Sequence, residues 1–292
     1  MQMQTRRNAM TVDVEDYFQV SAFERYIPRE AWGSQPCRVE ANVDRILQLF
    51  DDHAVRATFF TLGWIAERYP GTVRRVVDQG HELASHGWSH VRVHQQTPAQ
   101  FRADVTRTKS LLEDVSGNAV NGYRAASYSI GGSNLWALDV LGETGHHYSS
   151  SIYPIRHDLY GMPDAPRFAF RPARGELLEF PVTTVRIAGR NLPCGGGGWF
   201  RLAPYSLIRA ALRRVNRVDE QSAIFYFHPW EIDAAQPRQP GLDAKTRFRH
   251  YLNLDRTEGR LHRLLQDFAW GRMDEVLLHP HRNRLDHVNR LA

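Results

Sequence analysis

His86-Gly87-Trp88-Ser89-His90 places two imidazoles four residues apart, the spacing at which two histidines can grip one metal ion when a helical turn carries them. Far upstream, Thr11-Val12-Asp13-Val14-Glu15-Asp16-Tyr17 ends a short apolar run with three acids. Alternation along a strand sends Asp13 and Glu15 to one face. One carboxylate can then hold a metal while another takes a proton from the attacking water. Taken singly, each pattern has a plainer reading: unrelated surface histidines, or acids that cap a helix or solvate a turn. Position raises the chemical reading above these. Arg124 follows Gly122-Tyr123, and His228 follows Ala223-Ile224-Phe225-Tyr226-Phe227. In parallel β/α folds the C-terminal strand ends form one face, and that face holds the active site. Residues distant in the chain therefore converge there.

The elements that must do the positioning are legible as alternating periods. Ala9 to Val14 reads as a buried strand, Val39 to His53 as a helix, and Ala57 to Leu62 as a β-branched and aromatic strand. Ile65 to Gln79 returns to helical spacing and stops at Gly80. Glu82 to Ser85 is a short strand leading into His86, and Pro98 to Val115 is a helix with Phe101, Val105, Thr108, Leu111 and Leu112 on one face. Gly122 to Arg124 is a strand, and Leu135 to Gly142 a helix. Pro154 to Phe200 is rich in Pro, Gly and Arg, and reads as long loops and a hairpin over the barrel mouth. Ala203 to Asn216 and Thr257 to Phe268 are helical, and the tail from Leu278 to Ala292 reads as loosely ordered. Repeated strand–helix alternation predicts an α/β fold of parallel β/α units. The expected architecture is one catalytic domain over residues 1–292, a single distorted, seven-stranded (β/α) barrel with long loops over the C-terminal strand face.

Composition bounds the class. With 42% hydrophobic residues and 24% charged, the chain has ample material for one large core. Net charge is +5, but arginines are scattered and no basic run occurs, which argues against nucleic-acid binding. Attraction to anionic glycans, sugar nucleotides or lipid head groups at a membrane surface fits the charge. Cys37 and Cys194 lie far apart with no ligand pattern, as free thiols of a reducing compartment do. Met1 to Met10 carries Arg6 and Arg7 with no apolar stretch, and no window approaches the roughly 18 apolar residues of a membrane span. The expectation is a cytoplasmic protein.

These residues together resemble the polysaccharide deacetylases (NodB-type, carbohydrate esterase 4-like), and more closely their exosortase-associated branch found with exopolysaccharide biosynthesis. The likeness runs through Thr11 to Tyr17, Arg56-Ala-Thr-Phe-Phe, Gly80 to His90, Arg124-Ala-Ala-Ser-Tyr, the glycine run Gly195 to Gly198, and Phe225-Tyr-Phe-His-Pro-Trp-Glu. The resemblance implies a metal-dependent hydrolase that removes N-acetyl groups from an amino sugar, whether polymer, lipid-linked or nucleotide-linked. It implies Asp13 as general base, His86 and His90 as ligands of one divalent ion, zinc or else cobalt or nickel, Arg124 as the arginine that orients the base, and His228 as general acid. The family more often has two adjacent aspartates where Val14 follows Asp13 here, so the third ligand is Glu15 or Asp16, with strand alternation favouring Glu15. A backbone N–H near Ser127 or Tyr128 is expected to help hold the oxyanion, with Tyr128 beside the substrate. The family's arginine motif usually has a proline at Ala126, which leaves the adjoining loop open.

Around this set, Gly195 to Gly198 followed by Trp199, Phe200 and Arg201 reads as a mobile flap or a plain hairpin turn. As a flap it offers Trp199 to a sugar ring and Arg201 to an anion. Trp88 and Trp230 flank a ligand and the acid, and line the pocket or the core; Asp44, Asp51 and Asp52 are solvated helix residues. The competing functions are a deformylase or ureide amidohydrolase on the same scaffold, and a non-catalytic glycan-binding protein.

Overall fold

The computed structural model describes residues 6–279 except 158–159 and 173–174; most of the C-terminal tail lies outside the described residues. Ten strands are formed among the described residues: β1 (Arg7–Val14), β2 (Thr58–Thr61), β3 (Glu82–Ser85), β4 (Gly122–Tyr123), β5 (Tyr148–Ser149), β6 (Leu178–Glu179), β7 (Thr184–Ile187), β8 (Arg190–Pro193), β9 (Ile224–Phe227) and β10 (Ala269–Gly271). Seven of them pair in parallel in the order β9-β1-β2-β3-β4-β5-β6 and curl into an open barrel. The short β10 adds itself beside the first three residues of β1. β1 is thus the central strand, and all of its residues after Arg7 are buried. That burial on both faces is why Ala9 to Val14 reads as a continuous run rather than an alternating one.

Helices cover the sheet where the apolar periods predict them. Val39–Asp52 buries Val43, Ile46, Leu47 and Phe50 against β2 and β9, with the Phe50 ring edge-on to Phe59 and Phe227. Pro98–Ser116 begins with a capping box between Thr97 and Gln100 and ends at Gly117, whose φ of 69° is the left-handed cap. The expected helix over 65–79 is instead two, Gly63–Arg68 and Pro70–Asp78, broken at Tyr69. Pro70 cannot donate an N–H to the first helix but opens the second with its fixed φ. The closing helix expected from Thr257 is present as Leu254–Asp267, and a further helix, Ala244–Tyr251, precedes it. No described helix is long and apolar enough to cross a membrane.

The expected hairpin is β7–β8, which packs against the helix Tyr205–Arg217; one expectation for the 154–200 region is corrected. The glycine run is neither a flap nor a hairpin turn. It threads the seam between β6 and β9: Tyr226 N–H donates to the Gly195 carbonyl at 2.8 Å, and Gly196 bridges Tyr226 in parallel. A Cβ on Gly196 would lie 1.9 Å from the Tyr226 carbonyl oxygen, so only glycine fits. The run closes the barrel with backbone where no regular strand does.

Candidate active site

β1 ends at Val14 and turns at once, the Glu15 N–H donating back to the Asp13 carbonyl at 3.0 Å, which keeps both side chains at the mouth. β3 delivers His86, whose N–H donates to the Thr61 carbonyl at the end of β2 (3.0 Å). No helical turn follows. The chain instead bends through Gly87 (φ 73°) and His90 (φ 53°), and this brings the two rings to 5.3 Å between centroids. His90 Nε2 lies 3.0 Å from Glu15 Oε2, and the ligand atoms of Glu15, His86 and His90 all fall within 4.8 Å of one another.

His86 Nδ1 meets the Arg124 carbonyl at 2.8 Å, which places its proton on Nδ1 and leaves the Nε2 lone pair open. That Nε2 is buried without a hydrogen-bond partner, and the buried Glu15 Oε2 faces only the His90 ring. Unpartnered buried acceptors are costly, and an ion between them removes the cost. Two imidazoles and a carboxylate are also the donor set of open zinc sites. Burial pulls His86 down to about 4, so its ring is neutral, as a ligand must be. Burial pushes the Glu15 carboxyl up, but His90 and His228 more than offset this and hold it at about 2.

Asp16 is turned away from this cluster. Its Oδ1 accepts the Tyr17 N–H (2.8 Å), and its Oδ2 accepts those of Arg38 and Val39 (2.6 and 2.9 Å), which tie the end of β1 to the helix at 39–52. Asp16 is therefore a structural acid and not a member of the ligand cluster. Asp13 stands on the other side of the mouth. Its Oδ1 accepts from Arg124 Nη1 at 2.6 Å, while Oδ2 faces the Tyr128 hydroxyl (3.4 Å) and His228 Nε2 (3.9 Å). Arg124 is fully buried and held from every side, donating to Thr11 Oγ1, the Ser150 carbonyl and Ser150 Oγ, with the Phe60 ring 4.0 Å below its guanidinium.

His228 enters from the end of β9. Its Nε2 points at Glu15 Oε1 (3.5 Å) and Asp13 Oδ2, and its Nδ1 lies 3.1 Å from Glu231 Oε2. Glu231 in turn accepts from Arg201 Nε at 2.7 Å. Burial pulls His228 down, yet Glu15 and Glu231 carry it up to about 9, so the ring is charged at neutral pH. Burial pushes Glu231 up, and Arg201 and His228 hold it down at about 2.

Arg201 therefore does not meet a substrate anion. It is 3% exposed, and besides Glu231 it donates to the carbonyls of Arg249, His250 and Leu252. Trp230 is also no open sugar platform. Buried at 5% exposure, it stacks between His228 and His250 and donates Nε1–H to Glu15 Oε1 at 3.3 Å. Tyr128 is buried beside Asp13, and its backbone N–H is committed to the Ala125 carbonyl (3.0 Å), so it is not an oxyanion donor. Trp199 sits half-buried on the short helix Gly197–Leu202, without a ring contact to the site's aromatics among the described residues. Trp88 packs on Gly63 with Arg107 over its ring. Sequence reasoning missed Glu231. Its offset of three from His228 was the available signal, because that spacing lets a side chain return to the residue that opens a turn, as its Oε2 does to the His228 N–H at 3.0 Å.

Comparison with known proteins places this geometry in context. Residues 33–148 match the family model described as polysaccharide deacetylase, and residues 150–278 match a domain of unknown function (DUF3473). The site draws on both segments and on β1, which precedes them; the sheet likewise runs across the boundary. The chain is 33% identical over 113 residues to a peptidoglycan deacetylase of Helicobacter pylori, a match covering 39% of this chain and 38% of that protein. It is 30% identical over 96 residues to a chitooligosaccharide deacetylase of a Bradyrhizobium strain, covering 33% and 42%. The chain thus spans less than half the length of each of these relatives. Among solved structures, a Mycobacterium smegmatis protein assigned to the polysaccharide deacetylases aligns with 100% of this chain and 96% of its own, at TM-score 0.63 and 18% identity. A CE4 family pseudoenzyme from Bacillus anthracis aligns with 94% of this chain and 66% of its own, at TM-score 0.50 and 15% identity. At these identities the structures speak for the fold.

Proposed function

Residues 33–148 match the polysaccharide deacetylase family model, and from that premise we propose that the chain is a member of that family and a metal-dependent hydrolase removing N-acetyl groups from an amino sugar. The observation that carries the reading is the convergence on one mouth of Glu15, His86 and His90 with an arginine-held Asp13 and a charged His228. A fold shared with a pseudoenzyme does not by itself imply activity. What supports catalysis here is that base, acid and ligand set are all present in one cleft, which also weighs against a purely glycan-binding role.

Glu15 Oε2, His86 Nε2 and His90 Nε2 are the atoms that would hold the ion, and zinc suits this donor set, with cobalt or nickel as substitutes. When bound, a divalent ion polarises the acetamide carbonyl and acidifies the attacking water. Arg124 occupies Asp13 Oδ1 and so presents Oδ2 to the cleft, where it takes the proton as the water oxygen attacks. His228 Nε2 faces the same space and donates its proton to the departing nitrogen, releasing the amine and acetate. Glu231 and Arg201 keep that ring oriented and charged, and Trp230 braces both His228 and Glu15.

The relatives named for peptidoglycan and chitooligosaccharide support an N-acetylated glycan as substrate. We assign the chain to the biosynthesis of an exopolysaccharide, acting on a polymer, lipid-linked or nucleotide-linked precursor; its unpaired Cys37 and Cys194 fit a cytoplasmic setting. The test is acetate release from a panel of N-acetylated sugar nucleotides, lipid-linked sugars and oligomers, with chelator and after zinc is restored. Chelator-sensitive acetate release supports the reading. Formate or ammonia released in place of acetate, from formylated or ureido substrates run alongside, would give the deformylase or ureide reading instead.

A further inference from the structure

We propose that Arg29 is a positioning residue for the metal site, holding His90 in the conformation that lets its ring meet Glu15 and His86. The proposal rests on the reading of those three residues as the set that holds a divalent ion. His90 is a non-glycine residue at φ 53°, in the left-handed region. Such a conformation is strained and persists only where surrounding contacts over-determine it. Relaxing it would swing the imidazole away from Glu15.

The contacts that hold it come from both sides. On the barrel side, Gly63 and Trp64 donate to the carbonyls of Gly87 and Trp88 (2.9 Å each), and the Trp88 N–H donates to Asp104 Oδ1 at 3.1 Å. These bonds stop at Trp88, two residues before the strained His90. Ser89 and His90 turn their carbonyls outward, and Arg29 spans both: Nε donates to Ser89 O at 2.8 Å and Nη2 to His90 O at 3.2 Å. Arg29 belongs to the turn Arg29–Ser34, in the stretch joining β1 to the helix at 39–52. Its fork is aimed by Glu24, 3.0 Å from Nη2, and Glu24 is fixed in turn by Arg92 at 2.9 Å. A guanidinium can hold two successive carbonyls in one plane, whereas an ammonium is a point donor and holds one at a time.

The test is the zinc dissociation constant, measured by competition with a chromophoric chelator, together with the visible absorption of the cobalt-loaded protein. Arg29→Met should weaken zinc roughly 10–100-fold, the usual effect of losing a group that orients a ligand, and should alter the cobalt spectrum. Arg29→Lys should recover part of the affinity. Arg92→Met, which removes only the outer partner, should bind zinc as the unaltered protein does. Thermal midpoints of the chelated proteins separate this from general destabilisation. A folded Arg29→Met protein with unaltered zinc affinity overturns the proposal. If Arg29→Met does not fold, unaltered affinity in Arg29→Lys overturns it equally. An unaltered protein that binds neither zinc nor cobalt overturns the metal-site reading, and this proposal with it.

Discussion

Glu179 offers a quantitative test of the barrel interior. Its carboxyl is fully buried at the end of β6. Oε1 accepts the N–H groups of Ser151 and Ile152 at 2.8 Å each, while Oε2 has no hydrogen-bond partner. Burial pushes this carboxyl up from 4.5 to about 7. A raised acid favours the folded state at low pH, because the folded chain keeps a proton that the unfolded chain gives up. Its contribution is therefore complete below pH 4.5 and is lost as pH rises to about 7. Each unit is worth about 1.4 kcal/mol, so the window amounts to about 3 kcal/mol. Glu179→Gln keeps an oxygen for the two N–H donors and has nothing to titrate. Urea unfolding of both proteins in chelator, at a series of pH values across this window, isolates the effect. The variant should gain on the unaltered protein by about 3 kcal/mol between the two ends, whatever constant offset the amide introduces. Glu82, also raised to about 7, is present in both and cancels. A stability difference that stays flat with pH would refute the reasoning and mean that Glu179 is ionised in the folded barrel.

Other expectations are sharper on function. Glu15→Ala, His86→Ala and His90→Ala should each lose zinc by metal analysis, whereas Asp16→Ala should keep it and unfold earlier, since three N–H groups lose their acceptor. Asp13→Asn should retain metal and lose turnover, and His228→Ala should cost roughly 10²–10⁴-fold in turnover, the usual worth of a positioned proton donor. Glu231→Gln removes a partner that raises His228, so the alkaline limb of the turnover profile should move to lower pH. Arg201→Met breaks a buried pair and should cost about 3–5 kcal/mol in unfolding free energy.

Much of the site was legible because strands announce themselves. Asp13, His86, Arg124 and His228 each end or follow an apolar run, and parallel topology brings such ends together whatever their order in the chain. What was not legible depends on backbone direction. Nothing in the pattern Glu15-Asp16 says that the chain turns between them, sending one carboxylate to the histidines and the other to the helix at 39–52. Arg201 was misassigned because an arginine after a glycine run suggests exposure. Its partner Glu231 lies thirty residues on, and only the fold pairs them. The glycine run itself was misjudged for the same reason: open space and extreme crowding both select glycine, and sequence does not distinguish them. The broken helix at Tyr69 was within reach, since Pro70 marks it.

Arg124 has one more consequence. Its side chain holds Asp13, the proposed base, and its main-chain carbonyl sets the tautomer of His86, a proposed metal ligand. On the proposed reading, proton transfer and ion binding are therefore soldered to a single residue by two unlike parts of it, one that mutation can change and one that it cannot. A substitution at 124 can cripple the base while leaving the carbonyl in place, so a descendant of this chain could lose turnover and still hold its ion. Inactive, metal-loaded relatives are one substitution away, and the reverse order of decay, an intact base beside an empty centre, must begin elsewhere.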